Sequence, residues 1–340
     1  MNEPISIIEK QVKQFCARIG TDPLLVQGPG GNVSWKDNDA LWIKASGKWL
    51  AKACDEEIFV PVSLSYLQEA ISNKNFTCTP LILGDTKLRP SIETMLHALM
   101  PHKVIAHLHA VEALAHLVRK NAETRLAELI NDSVKWVFVD YYKPGAELAA
   151  SVSAKLKLVP DAEVIFLKNH GIVIGAPDTS NLDLILKTIT KLLFTKPFLS
   201  ELIQFDFVIK KNLNIFLNDF AIATDPEINR LSTNSYLISR LQNDWALYPD
   251  HVVFLGDSAI VIDDTTAEYK SEIIDRNPDF IFVKQQGVLE CKAITPAKKA
   301  QLRCYYDVLV RQPPTEKLES LTQINIKEIL SWEAEIFRQR

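Results

Sequence analysis

The stretch Lys103–Ala110, KVIAHLHA, constrains the fold more than any other. Its apolar residues read as a short strand. Alternation then sends His107 and His109 to one face while Leu108 points to the other. Two imidazoles on one strand face either stay wet or meet a partner indoors, and HxH alone does not choose between these. A partner is offered by VIFLKNHGIVIG, residues 164–175, where two apolar runs flank a polar, glycine-containing turn and read as a hairpin. That turn presents His170 immediately before Gly171. Three protein nitrogens with an open position are a recognised catalytic zinc arrangement, so strand and hairpin together predict a metal site of His107, His109 and His170.

A carboxylate lies just upstream, Glu93 in RPSIETMLHA. Pro90 and Ser91 predict a helix start with Glu93 in its first turn. Glu93 then has three readings: an additional metal ligand, an N-terminal helix stabiliser, or a catalytic base. His97 follows four residues later on the same helical face and could pair with it. His102, His116 and His251 read as surface, helix or packing residues. Tyr141 closes the strand-like VFVDYY before Lys143-Pro144-Gly145. Its phenol can exchange a proton if it reaches a pocket, or simply pack at a strand end.

Three polar segments complete the candidate site. Gly30, Gly31, Asn32 and Ser34 read as one compact turn, Ser46 and Gly47 as a second, and Ser91 as the opening of the helix. Exposed amides beside small side chains can hold a phosphate, with Lys44, Lys48 and Arg89 adding charge. Each segment taken alone is equally readable as a plain turn. GPGG is not GxGxxG and GNVSWK is not GxxxxGK[ST], so no nicotinamide, flavin or ATP site is expected.

Helices are predicted over 4–18, around 61–71, through EALAHLVRKNAETRLAELI and over 181–198, with strands in ALWIKASGKWL and SVKWVFVDYY. Organisation changes near 200–206, which divides the chain into residues 1–203 and an α/β extension, 204–340. Within the extension, DFIFVKQQGVLE (279–290) aligns with EVIFLKNHGIVI (163–174), pairing Lys168 with Lys284 and Gly171 with Gly287. Gln286 falls opposite His170. This reads as a degenerate repeat without the first copy's chemistry, chance similarity of two apolar hairpins being the alternative.

With 340 residues, 47% of them hydrophobic and 24% charged, the chain has the composition of a folded soluble protein of one large domain or two ordinary ones. A net charge of -4 argues against a nonspecific nucleic-acid or anionic-membrane surface. VIFL and GIVIG are too short to span a bilayer, and MNEPISIIEKQVKQF lacks the apolar core of a signal peptide. Five cysteines without a CxxC motif suit reduced thiols, so the expected location is cytoplasmic.

GGNVSWK, KASGKWL, RPSIETMLHALM, HLHAVEALAH, DYYKPGAELA and LKNHGIVIG occur in an order that resembles the class II aldolase/adducin family over roughly residues 8–200. PSIET, the SGK region and DWALYPDHVVFLG look especially like the aldolase part of bacterial rhamnulose-phosphate aldolase/dehydrogenase-type proteins, a comparison that extends more weakly through 245–310. The resemblance implies a three-layer α/β/α sandwich with a predominantly antiparallel central sheet. It also implies zinc or another divalent metal on His107, His109 and His170, with Glu93 as proton carrier or additional ligand. Gly31, Asn32, Ser46, Gly47 and Ser91 match its phosphate-binding loops, and Tyr141 resembles its aldol proton donor. Where the family often has a second hydroxyl after Ser91, this chain has Ile92. The implied activity is reversible cleavage of a sugar phosphate or related ketose through an enediolate, in a homo-oligomer with the site at a tetramer interface. Epimerisation, dehydration and a noncatalytic adducin-like scaffold are the alternatives.

Overall fold

The computed structural model describes residues 6–198, 219–263 and 277–333. Among these, strands form a seven-stranded sheet in the order β3-β2-β1-β4-β7-β6-β5 and a four-stranded sheet in the order β8-β11-β10-β9. In the larger sheet, β1 (Asn32–Asp37) and β2 (Ala40–Lys44) form a hairpin, and β3 (Phe59–Ser63) is its edge. β4 (Val104–Leu108) pairs antiparallel with both β1 and β7 (Gly171–Ala176). β6 (Val164–Leu167) pairs antiparallel with β7 and parallel with β5 (Trp136–Val139), the only parallel pairing of this sheet among the described residues.

The two faces follow from strand alternation. Val33, Trp35, Val104, Ala106, Leu108, Phe166 and Ile172 join the apolar sides of helices Ile7–Gly20, Ala122–Ile130 and Thr179–Leu193. Ile43, Val60, Ile105, Ile165 and Val173 pack on the other face against helices Leu64–Ser72, Thr94–Leu99 and Ala146–Leu158. The expected three layers and mostly antiparallel sheet are therefore present.

Several local expectations shift. The long helix foreseen after β4 breaks into Val111–Leu117 and Ala122–Ile130. The helix expected from 61 begins at Leu64, because Pro61 to Ser63 pair with β2 as a strand and the Ser63 hydroxyl caps the helix. The turn read across Gly30 to Ser34 ends at Gly31, since Asn32 already pairs with His107. The helix after Pro90 starts only at Thr94. Glu93 occupies its N-cap position but makes no side-chain cap bond, its carboxylate being engaged elsewhere.

The smaller sheet consists of β8 (Phe220–Ile222), β9 (Val261–Ile262), β10 (Phe280–Val283) and β11 (Gly287–Cys291). Its pairings match those of β4, β5, β6 and β7: β9 is parallel to β10, β10 antiparallel to β11, and β11 antiparallel to β8. The hairpin turns also agree. Asn169 and Gln285 are both left-handed, at φ 51° and 61°, and His170 and Gln286 donate their backbone N–H groups to Leu167 and Val283. Register then identifies the counterparts of the other two histidines. His107 pairs with Val173, two residues beyond Gly171; Ile222 pairs with Leu289, two residues beyond Gly287. Ile222 thus stands where the first hairpin has His107, Thr224 where it has His109, and Gln286 where it has His170.

The two sheets are joined through helix Val111–Leu117, whose Val111 and Leu114 share an apolar cluster with Leu247, Tyr248, Phe282, Tyr305 and Leu309. A buried ion pair, Glu112–Arg311 at 2.9 Å, and the bond from Arg119 Nε to Gln312 at 2.9 Å tie the same layers together. The boundary expected at 203/204 lies outside the described residues.

Candidate metal centre

The register of β1 on β4 sets Asn32 directly opposite His107 and Ser34 opposite Ile105, all on the sheet face covered by helix Thr94–Leu99. β7 continues from the turn that carries His170, so the third imidazole arrives beside the other two. Imidazole centroids lie 4.8–5.4 Å apart, and one ring nitrogen from each of the three lies within 4.8 Å of the others. All three side chains are buried.

Hydrogen bonding fixes which nitrogens face inward. His107 Nδ1 lies 3.1 Å from the Ile172 carbonyl, and His109 Nδ1 lies 3.1 Å from Asp250 Oδ2. Both partners are acceptors, so both Nδ1 atoms carry the proton and both Nε2 atoms present lone pairs. Those Nε2 atoms face each other at 3.1 Å. Glu93 closes the group, with Oε2 3.4 Å from His107 Nε2 and Oε1 3.2 Å from His170 Nε2. The His107 Nε2 lone pair, opposed at such distances by His109 Nε2 and by the Glu93 carboxylate, is repelled unless a cation lies between them, which is the chemistry of a divalent-metal site. The residues fit the group the sequence implies.

Protonation favours the same state. Burial depresses His107, with neighbouring His109 adding to the shift, and it pushes His170 down to about 3. Both are therefore neutral near pH 7, as ligands must be. Burial would raise the Glu93 carboxyl, but His107, His170, His109 and the Asn32 amide outweigh it and hold it down to about 2.

Asn32 orients this carboxylate. Its Nδ2 donates to Glu93 Oε2 at 2.9 Å while its Oδ1 meets His97 Nε2 in a short contact, and Ser34 Oγ lies 2.7 Å from His97 Nδ1. An accepting Oδ1 requires a proton on His97 Nε2, leaving Nδ1 to accept from the Ser34 hydroxyl. The direction is thus fixed from Ser34 through His97 and Asn32 to Glu93. His97 reaches Glu93 through Asn32, and burial drives it to about 3, so it works as a neutral ring.

Gly31, Asn32, Ser46, Gly47, Ser91, Glu93, His109 and His170 line one pocket, together with Lys44, Ile92, Pro144, Pro249 and Asp250. The segments meet because Ala45 bridges to Pro90 and Ser46 N–H donates to the Arg89 carbonyl. Gly47 has φ 77° and an open approach on its Cβ side, which suits a ligand held by backbone. Lys44 lies in the lining, bonded to the Pro29 and Lys48 carbonyls, while Lys48 turns to Glu56. Tyr141 is absent from the lining; its partly buried ring packs with the cluster of helix Val111–Leu117 and the smaller sheet. His116 and His251 are packing residues, as expected, and His102 is half-buried with its ring against Gly175.

Sequence reasoning missed Asp250 as a site residue. It lies about 80 residues beyond His170, and the only signal was its place in DWALYPDHVVFLG. Gly30 is its structural counterpart: a Cβ there would sit 2.8 Å from Asp250 Oδ2.

Fold and site define a three-layer α/β protein with a buried three-histidine centre. The family model described as Class II Aldolase and Adducin N-terminal domain matches residues 11–182, and the chain belongs to that family. Class II aldolases generally depend on a divalent metal, and membership supports an enzyme. An L-fuculose phosphate aldolase of Methanocaldococcus jannaschii is 28% identical over 171 residues, 48% of this chain and 82% of that protein. The Uncharacterized oxidoreductase YuxG of Bacillus subtilis is 28% identical over 191 residues, 51% of this chain but 27% of its own length. The chain thus spans about a quarter of that relative. The N-terminal class II aldolase domain of a Thermoplasma acidophilum protein superposes with a TM-score of 0.48 at 24% identity, covering 56% of this chain and 94% of that one. No helix among the described residues is long and apolar enough to cross a membrane.

Proposed function

We propose that this chain is a divalent-metal-dependent lyase that reversibly cleaves a carbon–carbon bond in a sugar phosphate or related ketose. The observation that carries the reading is Glu93, an ionised carboxylate 3.2–3.4 Å from two imidazole nitrogens at the edge of a polar pocket. His107, His109 and His170 would hold the ion, zinc being the expected choice. When bound, it would polarise the substrate carbonyl and stabilise charge developing on that oxygen.

In the synthetic direction Glu93 removes a proton from the carbon next to the ketone carbonyl. Asn32 keeps the carboxylate aimed while this happens. The resulting enediolate adds to the aldehyde, and Tyr141 supplies the proton that neutralises the new alkoxide. Cleavage reverses both transfers. Tyr141 stands just before the turn that brings Pro144 to the pocket, so its phenol would have to reach the reacting oxygen from outside the present lining. Gly31, Asn32, Ser46, Gly47 and Ser91 would hold the phosphate, with Ile92 offering no second hydroxyl beside Ser91. The M. jannaschii relative, named for a fuculose phosphate, supports a ketose phosphate as the first substrate class to test.

Residues 204–340 are proposed as a degenerate second copy that serves structure and the metal centre, in a cytoplasmic homo-oligomer. A product-resolved screen of ketose phosphates, then of unphosphorylated sugars, tests the function. Release of an aldehyde, abolished by chelator and by Glu93→Gln, is the expected result. An epimerised substrate without free aldehyde, or a dehydrated product, would replace the lyase assignment. Absence of both metal and turnover would overturn the enzyme assignment.

A further inference from the structure

The smaller sheet repeats the pairing pattern of the metal-bearing half of the larger one, yet carries Ile222, Thr224 and Gln286 at the three histidine positions. It is tied to the centre at two places. Asp250, at 2% exposure, sits on helix Pro249–Leu255 with Oδ2 3.1 Å from His109 Nδ1 and 3.3 Å from the Gln301 amide. The turn carrying His170 is held on its outer side. Asn169 Nδ2 donates to the Leu247 carbonyl at 2.8 Å and to the Glu319 carbonyl at 2.6 Å, and Lys168 pairs with the Glu319 carboxylate at 3.2 Å. Asn169 is left-handed at φ 51°, and these bonds anchor the residue that sets the direction of His170.

We infer that the stretches around Leu247, Asp250 and Glu319 are a working part of the metal centre, with Asp250 the positioning residue for His109 and Asn169 the anchor for His170. This rests on the reading that the three histidines hold a divalent ion. A carboxylate on the outer nitrogen of a ligating imidazole fixes its tautomer and ring direction and raises its basicity at the inner nitrogen. Asp250 supplies that contact from a segment beyond the family match, which ends at residue 182. The C-terminal part thus carries no histidine at the three matching positions but supplies groups that aim the histidines of the larger sheet. Gly30 leaves the space in which the Asp250 carboxylate approaches the ring.

The test is titration of the full-length, metal-stripped protein with Co2+, read by its visible absorption and by competition with a chromogenic chelator. The wild type should take up one ion per chain. Asp250→Ala should bind about 10–100-fold more weakly and shift the absorption bands. Asp250→Asn, whose amide oxygen still accepts from Nδ1–H, should recover part of the loss. Asn169→Gly keeps the left-handed turn accessible while deleting the amide, and should weaken binding without loss of helical circular dichroism. Affinity and bands unchanged in both Asp250→Ala and Asn169→Gly would overturn the positioning role while leaving the metal site standing. No ion bound by the wild type would overturn the metal reading itself, and the inference with it. Should Asp250→Ala fail to fold, Asp250→Leu, which fills the space without offering an acceptor, replaces it, and wild-type affinity with unmoved absorption bands would count against the proposal.

Discussion

Asn32→Ala isolates the chain of hydrogen bonds that aims Glu93. The wild-type amide, 4% exposed, donates to a buried carboxylate at 2.9 Å and accepts from buried His97. Loss of a hydrogen bond to a charged group costs about 1.5–3 kcal/mol, and stranding the His97 Nε2–H donor a further 1–3 kcal/mol or so. The single variant should therefore lose about 3–5 kcal/mol, a large share of the roughly 5–15 kcal/mol typical of a domain. His97→Phe strands the Asn32 oxygen and the Ser34 hydroxyl instead. In the double variant the stranded donor and the stranded amide oxygen are both gone, so the two costs should not add. With about 1–3 kcal/mol for each of those two stranded groups, the sum of the single effects should exceed the double by about 2–6 kcal/mol. Equilibrium urea unfolding of chelator-treated protein measures this, since bound metal would add its own stabilisation. Additivity within about 0.5 kcal/mol would refute the proposed connection between His97 and Asn32.

Acid should destabilise the fold through two buried histidines that are not among the metal-holding three. Burial lowers His116 to about 4 and His251 to about 3 from 6.5, so the unfolded chain binds their protons first on acidification. Their contribution is fully present above pH 6.5 and is lost on descent toward pH 4 and 3, at roughly 1 kcal/mol per pH unit for each ring; urea midpoints of His116→Gln and His251→Gln should show a shallower slope in that window. Gly31→Ala places a Cβ 2.9 Å from the His107 carbonyl at φ 61°, and should cost on the order of 1–3 kcal/mol in thermal unfolding while weakening Co2+ uptake through the shifted strand. Gln286→His places a histidine on the turn of the second hairpin, but Ile222 and Thr224 leave it without companions, so metal analysis should still give one ion per chain.

The sequence by itself determined the parts whose cause is local. Alternation in KVIAHLHA put His107 and His109 on one strand face, and the polar turn of VIFLKNHGIVIG fixed a hairpin with His170 at its end. The same regularity exposed the second hairpin at Phe280–Cys291, because strand periodicity is written in neighbouring residues. Glu93 was legible as a candidate but not in its role. A carboxylate before a helix is an ordinary cap until tertiary contacts show it bonded to Asn32 instead.

Only the tertiary structure decided the partners. His97 and Ser34 looked like helix and turn residues; antiparallel register of β1 on β4 and the helix laid over that face made them a chain ending on Glu93. Asp250 was silent for the same reason. Strand and helix periods are written over a few neighbouring residues, whereas a contact across 141 positions, from His109 to Asp250, exists only once two sheets have packed on helix Val111–Leu117.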